Sequence, residues 1–339
     1  MALRWIDSFD TYVTADISRR YVESDCAISA ADPKNGIGCI YCAGYGDKFT
    51  VDTTFTDGKF VLGFHMKLVQ YPFTSDSLIG FYSTATINAY MKVTANGTIQ
   101  FTNAGGTALC ESSAGAIDED VWHHIEIKGE IADATSIDCI IKVDGTVVAT
   151  AASPVDSLAS GTFNRVTIGH IGSNVYGVYF DNLYICDMSG AQCNDFLGEC
   201  IVEAIMPDGA GYNSDFDGSD GNKVDNHLLV DEVDPDDDTT YVEDSDVGGI
   251  DAFTYGALSQ TPAAIYGVAV NTMVRKTTEN ARTMKQIARP VSTNYEGSEH
   301  TLTTTYTTFQ DIWELNPADA AAWEEADVNG SEFGVKVEA

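Results

Sequence analysis

The sequence predicts an all-β protein, and three observations carry that reading. From Lys59 to Gln70 the string KFVLGFHMKLVQ places Phe60, Leu62, Phe64, Met66 and Leu68 at period two, the alternation of a half-buried strand. Further short apolar runs follow, punctuated by Asn96-Gly97 and Asp144-Gly145, dipeptides that tolerate the positive φ of hairpin turns. Residues 161–199, GTFNRVTIGHIGSNVYGVYFDNLYICDMSGAQCNDFLGE, read as two strands closing a sheet: Val166, Ile168 and His170 alternate with Arg165, Thr167 and Gly169. A Gly172-Ser173-Asn174 break then leads into Tyr176–Cys186, apolar on both faces as a strand inside a sandwich must be.

In chain order, Leu3–Ile6 is a short first strand with a polar turn at Asp7 and Ser8. The glycines at 36, 38, 44 and 46 make the backbone from Asn35 to Asp47 irregular. After the 59–70 strand, in which His65 takes the outward parity, strands are expected at Ser77–Tyr82, Ile87–Val93 and Thr98–Thr102. Val121–Glu130 is followed by Ile137–Val143, the turn Asp144-Gly145 and Thr146–Ala151, a hairpin with an Asp-Gly turn. Trp122 reads as a core or rim aromatic, and His123 shares parity with Ile125 and Ile127, the position of a packed, hydrogen-bonded histidine. Beyond Glu199 the composition shifts. Between Asp208 and Asp251 fifteen Asp or Glu face one Lys, Lys223, which suits an extended, solvated connection. Strands return at Ala263–Met273, Thr283–Ser292 and Thr301–Glu314, a short helix is expected from Pro317 through Trp323, and GSEFGVKVE closes the chain as a strand.

Several of these segments resemble known families. "IGH…GVYFDNLYICD", the "FD" opening and "WHHIEI…IKVDGTVV" resemble a laminin-G-like or concanavalin A-like jelly roll, in which the first strand pairs near the last. "NDFLGECIVEAIMPDGAG", "HLLVDEVDPDDDTTYV", "AIYGVAVNTMVRKT" and "YTTFQDIWELNPADAAAWEEADVNGSEFGVKV" resemble, in that order, segments of a family of tailed-bacteriophage virion structural proteins with such a jelly roll at the N-terminus. The resemblance implies a jelly-roll sandwich over residues 1–200, an acidic connection over 201–260 and a smaller C-terminal β-domain over 261–339. It also implies a non-enzymatic virion protein on a tail fibre, appendage or capsid surface, present as a homo-oligomer, with a trimer as the first guess. Its partners would be other virion proteins, copies of itself and a host surface glycan. The alternatives are a glycan-binding adhesin carried on the virion and a concanavalin A-like glycanase.

Composition narrows the partners. Eighteen Lys and Arg against 51 Asp and Glu give a net charge of -33, which repels polyanions and excludes nucleic acid as a partner while favouring solubility. No run of about 18 apolar residues exists to span a membrane, and MALRWIDSFD lacks a signal-peptide profile. The protein is therefore expected to be made in a cytoplasm and not secreted, and the family resemblance implies a host cytoplasm and a place in the virion. On that argument the eight cysteines, with Cys39 and Cys42 as a lone C-x-x-C, are expected to be buried thiols, not disulfides or a zinc site.

No G-x-S-x-G, H-E-x-x-H, Walker or Rossmann pattern occurs. Glu232, Asp234 and Asp236 alternate like the acidic strand of a glycanase, yet Pro235 interrupts them and nothing differentiates the carboxyls into acid and nucleophile. Asn213, Asp215 and Asp217, before Gly218, copy the first half of a calcium loop, so calcium is the one cofactor the residues suggest. The jelly-roll resemblance offers Asp7, Asp10 and Asp181 as alternative ligands.

Overall fold

A computed structural model describes residues 2–53, 55, 58–133, 136–151, 163–172, 176–190 and 192–339, the side chains of 130–138 excepted. The Gly172-Ser173-Asn174 break expected ahead of Tyr176 falls partly outside the described residues. The structure is nearly all β, and the chain divides into two compact units, Met1–Val202 and Glu203–Ala339.

The first unit is a two-sheet sandwich. Its strands are β1 (Leu3–Asp7), β2 (Ala27–Ser29), β3 (Cys39–Cys42), β4 (Lys48–Asp52), β5 (Lys59–Leu68), β6 (Asp76–Ser83), β7 (Thr86–Val93), β8 (Ile99–Asn103), β9 (Ala108–Glu111), β10 (Trp122–Asp133), β11 (Ser136–Val143), β12 (Thr146–Thr150), β13 (Arg165–Gly169) and β14 (Val178–Cys186). The larger sheet runs β12-β11-β10-β5-β14-β3-β2, with β1 paired to β14; the facing sheet runs β4-β13-β6-β7-β8-β9. First strand thus meets last, as the jelly-roll resemblance implies. The five alternating side chains of β5 are fully buried, and Phe60 meets Phe81 of the opposite sheet at 4.7 Å between ring centroids. Burying each such side chain stabilises the fold by about 1.5–3 kcal/mol. The turn residues behave as their chemistry requires: Gly97 at φ +72° joins β7 to β8, and Asp144 (φ 50°) with Gly145 (φ 76°) joins β11 to β12.

One expectation is corrected. β13 and β14 do not close one sheet but lie in opposite sheets, each between two neighbours, β13 between β4 and β6 and β14 between β5 and β3. The chain crosses over after Gly169, whose φ of +122° ends β13, and His170 anchors the crossing with its Nδ1 2.8 Å from Asp76 Oδ2 in the interior. The thiol expectation is corrected as well, because Cys26 and Cys42 form a disulfide. Cys39 and Cys42 are three apart on one strand, so they point to opposite faces and cannot act as a pair.

The second unit holds β15 (Pro207–Ser214), β16 (Asp217–Gly218), β17 (Val242–Glu243), β18 (Ile250–Tyr255), β19 (Val268–Val274), β20 (Thr283–Arg289), β21 (Tyr295–Thr301), β22 (Thr307–Trp313) and β23 (Glu332–Val337). Its main sheet is β15-β18-β23-β20-β21, with two-stranded pairs β16-β17 and β19-β22, over a core of Val270, Ala288, Trp323, Val328 and Phe333. The acidic stretch is therefore not only a connection. β15 and β18 fold into this sheet, burying Ala252 and Phe253, while most carboxylates stay in the exposed loops between them. The helix also begins later than expected, as Glu325–Gly330. Ala320 takes a left-handed φ of 59° that stops any helix from Pro317, and Glu324 with Asp327 supplies a capping box further on.

At the start of the first unit Asp7 gathers four donors: Arg20 Nε at 2.6 Å, Tyr12 Oη at 2.7 Å, Tyr21 Oη at 2.5 Å and the Phe9 N–H at 2.9 Å. The Arg20 side chain is 3% exposed, so its charge has no water to turn to. Asp7→Ala should lower unfolding free energy by about 3–5 kcal/mol, the range for stranding a buried charge. Urea titration checks this, and a loss below about 1 kcal/mol would show that the network is not holding β1 in place.

Candidate functional site

The outer face of the larger sheet, turned away from the core, carries three rows of side chains set by strand register. In the first row Trp122 of β10 pairs with Lys67 of β5, Lys67 with Tyr179 of β14, and Tyr179 with Tyr41 of β3. In the second, His124 stands beside His65 and His65 beside Asp181. In the third, Glu126 and Tyr184 flank Gly63. All these residues have the parity opposite to the core positions of their strands, with one adjustment. A bulge in β14 at Asn182, whose φ is 52°, inserts one residue, so Asp181 and Tyr184 both face outward.

The first row is partly open to solvent. Trp122, Lys67, Tyr179 and Tyr41 are all half-buried. Tyr41 stacks on Tyr179 at 4.5 Å between centroids, and Trp122 lies 6.3 Å from Tyr179. Tyr41 can lie flat because Gly177 is beside it, where a Cβ would come within 2.7 Å of its hydroxyl. Lys67, between Trp122 and Tyr179 in the register, has its Nζ paired with Asp32 and, at 2.7 Å, with Asp120. Phe73, in the loop leaving this end of β5, is 84% exposed.

The second and third rows are closed over by residues 193–202. The Gly198 N–H donates to Glu126 Oε1 at 3.0 Å, Glu199 Oε1 lies 3.4 Å from His65 Nε2, and the Val202 N–H donates to Asn182 Oδ1 at 2.8 Å. Beneath, the Tyr184 hydroxyl donates to Glu126 Oε1 at 2.6 Å, with its ring lying in the space a side chain at Gly63 would fill. The His65 and His124 rings are 5.0 Å apart. His65 Nδ1, both ring nitrogens of His124 and Glu126 Oε2 are buried without a hydrogen-bond partner among the described residues. Such atoms are costly unless they meet a polar group. Burial, with His124 alongside, pushes His65 down to about 4 against the pull of Glu199, and burial lowers His124 as well, so both imidazoles are neutral at pH 7. Burial drives the Tyr184 hydroxyl far above its usual range, reinforced by Glu126, and burial lifts Asp181 to about 7 against the N–H groups of Asn35, Lys34 and Asn182.

Each of the sequence-predicted calcium ligands has a protein partner of its own. Asn213 Oδ1 accepts from Asn294 at 3.3 Å, Asp215 Oδ2 from the Ile250 N–H at 3.1 Å, and Asp217 Oδ1 lies 3.6 Å from Lys223 Nζ. The alternatives serve as clamps. Asp7 holds Arg20, Asp10 accepts the Ile37 and Gly38 N–H groups, and Asp181 those of Lys34 and Asn35. Among the described residues no group of three or more His, Cys, Asp or Glu side chains is arranged to hold a metal ion. Glu232, Asp234 and Asp236 lie in a loop, where Glu232 and Asp236 both accept from Thr240. His123 is packed inward, as expected, between the Asp118 N–H at 3.0 Å and Asp144 Oδ2 at 2.7 Å. Sequence reasoning missed Tyr41, Tyr179, His124, Glu126 and Tyr184. Strand parity marks His124 and Glu126 as outward, but which strands stand side by side is not written in that parity.

No protein-family model matches the chain, and no curated protein matches it. Solved structures do. Trypanosoma rangeli sialidase is 14% identical over 48% of this chain with a TM-score of 0.36, and the match spans 27% of the sialidase, about a quarter of its length. An endo-β-1,4-glucuronan lyase from Trichoderma reesei is 11% identical over 54% of this chain and 90% of its own, TM-score 0.36. The alginate lyase Aly36B is 15% identical over 54% of this chain and 96% of its own, TM-score 0.36. The β-sandwich itself rests on the sheets described above. Two expectations are corrected by these matches: a non-enzymatic virion structural role, and the assignment as no enzyme. The matched structures are a sialidase, a glucuronan lyase and an alginate lyase.

The histidine burial has a measurable consequence. The unfolded chain binds a proton on this histidine near pH 6.5, whereas the folded chain resists until about 4, so its neutral form supports the fold fully at pH 7 and progressively less as pH falls through that window. The stability difference between wild type and His65→Gln should shift against the wild type by about 2 kcal/mol between pH 7 and pH 4.5. Urea midpoints at a series of pH values check this, and a pH-independent difference would contradict the buried, neutral assignment.

Proposed function

We propose that the first unit recognises a neutral glycan on the outer face of its larger sheet, with Trp122, Tyr179 and Tyr41 as the stacking surface. The observation that carries this reading is the single cross-strand row in which three aromatic rings stay half-exposed around Lys67, Asp32 and Asp120. Sugar rings present apolar C–H faces and polar rims. Aromatic faces beside fixed charged groups complement both. A neutral chain is preferred because Lys67 is already held by two carboxylates and the net charge of -33 repels polyanions. The resemblance to tailed-phage virion proteins supplies a setting: an adhesin carried on a particle in several copies, a trimer as first guess, facing a host surface glycan.

A second reading is favoured by the rows behind the platform. Two neutral imidazoles, a carboxylate and a tyrosine hydroxyl next to a sugar-binding row are the groups proton transfer uses. For such chemistry residues 193–202 must move aside. It predicts turnover of a bound glycan that His124→Ala abolishes while binding persists.

The test is a screen of the purified protein on immobilised neutral oligosaccharides, followed by calorimetry on the best ligand. Trp122→Ala and Tyr179→Ala should each weaken binding about tenfold or more, an aromatic contact of roughly 1.4 kcal/mol, with the circular dichroism of the wild type retained. Unchanged affinity in both variants, or no retained glycan, would overturn the reading.

A further inference from the structure

We infer that Cys110 and Cys139 form a second disulfide, one that joins the two sheets of the sandwich at its β9/β11 flank. Cys110 sits on β9, the edge strand of the smaller sheet, and Cys139 on β11, next to the edge of the larger one. Their sulfurs are 3.2 Å apart, with the Cys110 thiol donating to Cys139 Sγ, and both are buried, at 5% and 1% exposure. β9 lies against β11 and β12, so the flank already brings the two backbones together. The same unit holds a bonded pair in Cys26–Cys42, which shows that disulfide chemistry is compatible with this sandwich. Buried cysteines more often act as small apolar fillers. Here two of them from different sheets meet sulfur to sulfur, which filling does not require.

The step needs a two-electron oxidant, supplied by a small-molecule disulfide. The Cys110 thiolate, the more exposed of the two and on a four-residue edge strand, attacks one sulfur of the reagent and expels one thiolate, leaving a mixed disulfide. The Cys139 thiolate then attacks Cys110 Sγ and expels the second. Two protein thiols are oxidised, the reagent is reduced to two thiols, and the two protons pass to the departing thiolates. The bond closes a ring over 29 residues of sequence separation. It also ties down β10, because Gly129 of β10 pairs with Cys139 and β10 carries Trp122, His124 and Glu126 of the candidate site.

The experiment treats the full chain with millimolar oxidised glutathione at pH 8, then unfolds it in denaturant with an alkylating reagent and maps the peptides. The expected result is a linked Cys110–Cys139 peptide pair, lighter by two hydrogens than its reduced parts. A Tm about 5 °C or more above the untreated protein should accompany it, and this gain should vanish in Cys139→Ser. If that variant fails to fold, Cys110→Ser on the edge strand gives the same comparison. Both peptides alkylated after oxidation, or either sulfur mapped to another cysteine, would overturn the inference.

Discussion

Strand β5 fixes the geometry on which both faces of the larger sheet depend. Its inward side chains are wholly buried, and its outward ones, Gly63, His65 and Lys67, stand at the centre of the three rows. A one-residue slip would exchange the faces, taking five apolar side chains out of the sandwich core and turning His65 and Lys67 into it. The cost, about 1.5–3 kcal/mol for each side chain exposed, locks the register of β10 and β14 against β5. The aromatic row is thus a by-product of core packing: once Phe64 and Met66 must face in, Lys67 must face out between Trp122 and Tyr179.

Polar burial divides this face into two regimes. At the first row the charges are satisfied by one another at the surface. In the rows behind, two histidines and a glutamate are buried under residues 193–202, and four of their polar atoms have no partner among the described residues. Gly63 and the bulge at Asn182 are the local devices that permit this, the first by leaving room for the Tyr184 ring and the second by turning Asp181 and Tyr184 to the same side. The free energy spent on burying such groups is the kind of local inconsistency that accompanies functional sites.

Much of the sandwich was legible in the sequence because strand parity is local information. The alternation in Lys59–Leu68, the turn chemistry of Asn96-Gly97 and Asp144-Gly145, and the inward parity of His123 all follow from neighbouring residues. What was not legible is non-local. That β13 and β14 belong to opposite sheets depends on Gly169 and on the His170–Asp76 contact, 94 residues apart in sequence. Acid density over Asp208–Asp251 reads as solvated chain, but Ala252 and Phe253 bring β18 into a sheet with β23, whose sequence lies some eighty residues later. The candidate site shares this character, since Tyr41, Lys67, Trp122 and Tyr179 converge only through pairing of four distant strands.

Recognition on the first row can be followed through the four tryptophans. Trp5 and Trp122 lie in the first unit and Trp313 and Trp323 in the second, so their indole N–H signals report separate places in an amide-correlated NMR spectrum. On titration with a neutral oligosaccharide that the protein retains, the Trp122 signal should move saturably while those of Trp313 and Trp323 hold still. A static Trp122 with moving second-unit signals would exclude recognition on the first row.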